Sequence, residues 1–146
     1  MPQPSVKIQK IWLDDDDSFF ELNLDFCTGH CSVNINIFTD NEELEKLREG
    51  VMDFSSFKQK EFLWTAGEDV ENVSHFLSMR FFLYGNRGYV GVEVTADNKL
   101  ESPYSVRATF FLVTVLSQID DFTRKLGSFI KGEIYELESL IQSFEQ

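Results

Sequence analysis

Cys27-Thr28-Gly29-His30-Cys31 is where metal-binding and nucleophilic side chains crowd most closely in this chain. A structural zinc site takes four Cys or His ligands, usually as two pairs. The only other histidine is His75, and no second cysteine pair exists, so no metal is expected at Cys27, His30 and Cys31. A reactive thiol needs a helix N-terminus or a basic neighbour to lower its pKa. Neither cysteine has one in sequence. A turn at 28–30 between two strands explains the segment without metal or redox chemistry. In a cytoplasmic protein both thiols stay reduced.

The remaining candidates fall in the same way. Asp14-Asp15-Asp16-Asp17 lacks the alternating ligands and the glycine of a calcium loop. Four adjacent like charges cannot be buried, and a solvated turn is the reading. His75 sits on the apolar side of an alternating run, as a hydrogen-bonded core histidine does. Gly85-Asn86-Arg87-Gly88 lies between two strands rather than before a helix, so it is a hairpin turn and not a phosphate loop. Nothing singles out a carboxylate pair for acid–base work. The expectation is a protein that is not an enzyme and takes no cofactor.

These side chains depend on the elements that carry them. Lys7–Leu13 reads as a first strand. Phe20, Leu22, Leu24 and Phe26 alternate with polar residues, as do Val33, Ile35 and Ile37, which makes a hairpin with one face in water. Asp40 with Glu43 has capping-box spacing, and Leu44, Leu47, Val51 and Phe54 follow at helical spacing. That predicts a helix over 41–54 with Glu42, Glu45, Glu49 and Asp53 outward. Residues 61–65, 74–84, 90–95 and 106–112 read as four further strands, with Thr109 to Leu116 as a buried run. Ser117 with Asp120 suggests a second capping box, opening a long helix whose apolar stripe runs from Ile119 to Phe144. Gly127 and Gly132 weaken that helix by roughly 1 kcal/mol each.

The expected fold is therefore α+β, in one domain over 1–146. One antiparallel sheet of about six to seven strands carries two helices on one face, in the order βββα-ββββα. The order hints at two similar halves. A core of this size needs no disulfide or metal staple.

The chain has 146 residues with 13 basic and 25 acidic side chains, a net charge of −12. The first half, 1–73, holds 16 acids and 6 bases, and the second, 74–146, holds 9 acids and 7 bases. Such a field repels nucleic acid and anionic membrane and attracts basic proteins. No apolar run reaches the ~20 residues of a membrane span. No signal peptide is seen, and a cytoplasmic location is expected.

The hairpin over 18–38, the helix segment Asn41-Glu42-Glu43-Leu44-Glu45-Lys46-Leu47-Arg48-Glu49-Gly50-Val51-Met52-Asp53-Phe54, the Trp64 strand, and a last strand running into Ile119-Asp120-Asp121-Phe122-Thr123-Arg124-Lys125-Leu126 share a layout. In that layout the chain resembles the small acidic immunity proteins of bacterial polymorphic and contact-dependent toxin systems. The resemblance implies binding and inactivation of a cognate toxin domain, often a basic nuclease. It transfers no binding residue by position. The charge asymmetry instead nominates Asp14, Asp15, Asp16, Asp17, Glu68, Asp69 and Glu71 as partner-binding residues. The alternatives are an acidic secretion chaperone for effector proteins and a small ligand-binding domain.

Overall fold

The computed structural model describes residues 4–13, 19–69, 73–85 and 88–141. The chain begins with an antiparallel meander: β1 (Ser5–Leu13), β2 (Phe20–Cys27) and β3 (Ser32–Thr39). Alternation sets its register. Ile8 lies opposite Leu24, and Leu24 opposite Ile35, so one side of the sheet is continuously apolar. Asn34 and Asn36 are on the other, exposed side, as their alternation predicts.

Helix α1 (Asn41–Ser55) starts directly after β3. The Asp40 carboxylate accepts from the Glu43 N–H at 2.8 Å, which supplies the expected N-cap. Leu44, Leu47, Gly50, Val51 and Phe54 form its buried stripe. Gly50 is required there, because a Cβ would collide with the Phe62 ring. Trp64 donates its indole N–H to the Glu43 carbonyl at 3.1 Å, tying the next strand to the first turn of the helix.

A second meander follows: β4 (Glu61–Gly67), β5 (Phe76–Tyr84), β6 (Tyr89–Asp97) and β7 (Arg107–Val115). It forms its own sheet, in the order β4-β5-β6-β7. The expectation of one sheet with both helices on one face is thereby corrected. Periodicity assigns each strand a buried face, but it does not say which strands pair across an intervening helix. Here α1 separates β3 from β4 and the ladder stops. The inner faces of the two sheets share one core with α1 and α2. Phe26 meets Phe110 edge-on at 5.5 Å between sheets, and Phe54 of α1 lies 6.4 Å from Phe81 of β5. Strand β7 is an edge strand that leaves Phe111 exposed, so the run from Thr109 to Leu116 is not buried throughout.

The second helix is also corrected. α2 spans Leu116–Ile130 and has no side-chain cap, so Ser117 caps nothing. β7 runs into it without a loop, and the Leu116 N–H finds the Gly88 carbonyl at 3.3 Å. It ends at Gly132, which takes φ +79°. The Gly132 N–H bonds Phe129 O at 3.2 Å and the Glu133 N–H bonds Ser128 O at 3.0 Å, the two bonds of a Schellman motif. The chain then turns back and adds β8 (Glu136–Ser139) antiparallel to β1, giving the order β3-β2-β1-β8. The C-terminal strand thus closes the sheet that the N-terminal half began. Neither helix is long and apolar enough to cross a membrane.

Candidate functional site

Of the residues nominated by charge, Asp14, Asp15, Asp16, Asp17 and Glu71 lie outside the described residues. Glu68 is exposed and makes no ion pair among the described residues. Asp69 is exposed but occupied. Its carboxylate accepts both Arg107 Nη1 at 2.8 Å and Nη2 at 2.9 Å, and Lys99 Nζ at 2.7 Å. Asp97 completes the group. Its Oδ2 takes Arg107 Nη1 at 2.9 Å and its Oδ1 takes the Lys99 backbone N–H at 2.8 Å. The hydrogen bonds from Arg107, then Lys99, hold the Asp69 carboxyl below the usual carboxylate range, and the bonds to Asp69, then Asp97, raise Arg107. For Asp97, partial burial pushes upward, but the Lys99 N–H and Arg107 outweigh it and the net shift is downward. The cluster clamps the end of β4 to the connection between β6 and β7.

Acid with no ion pair among the described residues gathers elsewhere, on the outer face of the β3-β2-β1-β8 sheet. Pairing with β1 sets Glu138 beside Lys7 and Glu136 beside Gln9, while Asp25 faces Lys7 from the other side. Glu21 stands further along β2, opposite Phe38. Glu21, Asp25, Glu136 and Glu138 therefore share a face with Lys7. An amide ladder crosses this face. Asn23 and Asn34 exchange two hydrogen bonds at 2.9 Å, Asn23 also reaches Asn36 at 2.6 Å, and Asn34 donates to Asp25 at 3.3 Å. Ordered amides of this kind present fixed donors and acceptors to a partner. Lys7, Asp25, Cys27 and Glu138 line an open cavity of about 340 Å³ on the same face. The sequence reading missed Glu136 and Glu138 because it left them on a helix. The apolar Leu137 between Glu136 and Glu138, just past Gly132, was the available signal.

The 27–31 segment is a turn built on Thr28. Its hydroxyl accepts the His30 N–H at 3.2 Å and the Cys31 N–H at 3.1 Å, and Gly29 takes φ +92°. Cys27 is half-buried, and Cys31 is exposed. His75 is buried, with Nδ1 3.1 Å from Ser74 Oγ. Its environment matches a core residue, although its Nε2 has no partner among the described residues. On α1, Glu42, Glu49 and Asp53 are exposed, while Glu45 is held by Arg48.

Searches of protein-family models, of curated proteins and of solved structures give no match to this chain.

Proposed function

We propose that this chain is a non-catalytic binding protein that neutralises a basic toxin domain, as its resemblance to the small acidic immunity proteins implies. The observation that supports it best is how charge divides between the two outer sheet faces. On the β4-β5-β6-β7 sheet and its rim, Arg80, Lys99 and Arg107 pair with Glu61, Glu93, Asp69 and Asp97. On the β3-β2-β1-β8 sheet, four carboxylates share a face with Lys7, beside a ladder of fixed amides. A basic surface meeting the second face gains attraction without breaking existing ion pairs. Asp14 to Asp17, Glu68 and Glu71 add to the chain's overall negative charge, whereas Asp69 serves the clamp.

The test is affinity capture on the immobilised chain from its own source cells. One basic toxin domain is the expected catch. Several secreted effectors would favour a chaperone, and a co-purified small molecule would favour a ligand pocket. With the toxin domain in hand, Asp25→Lys with Glu138→Lys should slow association and flatten its salt dependence, because exposed charges act mainly on the encounter rate. The same rate and salt slope in the variant would remove this face from the contact.

A further inference from the structure

The other outer face has a different character. In register across β4-β5-β6-β7, one row reads Leu63, Arg80, Glu93, Phe111. The next reads Glu61, Phe82, Gly91, Val113, and the last pairs Tyr84 with Tyr89. Leu63 is 58% exposed, Phe111 52%, Tyr84 55% and Tyr89 38%. Gly91 is what lets this surface lie flat: a Cβ there would strike the Phe82 ring, which lies across it. Phe82 meets Phe111 edge-on at 6.2 Å, and the Arg80 guanidinium sits 4.4 Å over the Phe82 ring. Arg80 is further fixed by Glu93 at 2.9 Å and Glu61 at 3.2 Å. Rigid aromatics around an immobilised arginine are the composition enriched at the centres of protein interfaces.

We infer that this face docks a second copy of the chain, sheet to sheet across a two-fold axis. Charge selects that occupant. Each copy carries −12, so two copies repel wherever uncompensated carboxylates meet. The β3-β2-β1-β8 face does bring such carboxylates together, and the β4-β5-β6-β7 face does not, because its charges are paired within each copy. With Arg80, Lys99 and Arg107 against Glu61, Glu93, Asp69 and Asp97 this face carries −1, against −3 for the four carboxylates and Lys7 of the other, so a strongly basic partner gains less here and a second acidic chain meets less repulsion. The size suits a weak dimer. Taking 150–250 Å² per aromatic, the exposed parts of Tyr84, Tyr89 and Phe111 come to roughly 220–360 Å² per copy, and Leu63 adds to them. A stable interface needs about 800 Å² per partner, of which about 60% is apolar. The polar positions Arg80, Glu93, Thr95 and Thr109 of the same face add polar area. The inference does not depend on the acidic face binding a toxin.

Sedimentation velocity and light scattering from low-micromolar to several-hundred-micromolar protein test it, at physiological salt. The wild-type mass should rise from the 17.0 kDa of one chain towards twice that value. Phe111→Asp should weaken self-association at least tenfold. Because Phe111 packs on Phe82, the more exposed Leu63→Lys serves as the second variant and should do the same with an unchanged circular-dichroism spectrum. A wild-type chain that stays at 17.0 kDa throughout overturns the inference, as do two folded variants that dimerise like the wild type. A monomeric wild type whose Leu63→Lys variant loses affinity for a toxin domain would assign the face to that partner and exclude the second copy.

Discussion

The imidazole of His75 lies just before β5, against Ser74 on one nitrogen and near the Phe38 ring at 6.3 Å. Burial lowers its pKa from the ordinary 6.5, since the charged form loses water. The unfolded chain therefore binds the proton more readily than the folded one. The stability this group contributes is complete above pH 6.5 and is lost as the pH falls from there through the lowered folded value. Urea unfolding across that window should show a loss that His75→Gln largely removes; an unchanged slope in the variant would place the titration elsewhere. Phe57 is a second residue under local constraint. It has φ +65° at the end of α1, where its N–H bonds Phe54 O at 3.1 Å and the Lys58 N–H bonds Asp53 O at 2.9 Å. This is the position glycine favours, and a left-handed side chain costs about 1–2 kcal/mol there. Part of that gain is offset by glycine's freedom in the unfolded chain. Phe57→Gly should therefore raise stability by about 0.5–1 kcal/mol. A higher urea midpoint at constant m-value would show it.

Among the elements, the ends proved harder to read than the periodic middles. The alternation of β2 and β3 and the capped stripe of α1 appear where residue spacing puts them, because each depends on neighbours within a few positions. The C-terminal helix ends well before its apolar pattern does. Its apolar residues continue past Ile130, through Leu137 and Leu140, and they remain buried there, but on a strand and a turn rather than on a helical stripe. Gly132 decides the matter, and its role as a helix stop could have been read from the lysine and glycine at 131–132. Gly132→Ala should destabilise the fold by about 1–2 kcal/mol, since alanine must be held left-handed. That is the opposite sign from the effect expected if Gly132 were an ordinary helix-interior residue. An increase in the urea midpoint would return this residue to a helix.

At the scale of the molecule, self-repulsion of −12 charges opposes compaction, and screening relieves it. The paired residues of the second sheet work against this, but they involve fewer charges. The melting temperature should therefore rise as salt increases from near zero to ~0.15 M, where the Debye length is about 8 Å. A fall would mean that the ion pairs outweigh the repulsion. The class of the fold, the faces of five strands, the first helix and the acidity of the first half were all determined by the sequence itself. They follow from side-chain type and short-range spacing, and these operate before any tertiary contact forms. The tertiary structure alone decided that the strands divide into two sheets, that Glu136 and Glu138 join Asp25 on one face, and that Asp69 is partnered by Lys99 and Arg107. Each of these joins residues 30 to more than 100 positions apart, and pairing at such distances depends on which surfaces the shared core brings together, which spacing along the chain does not encode.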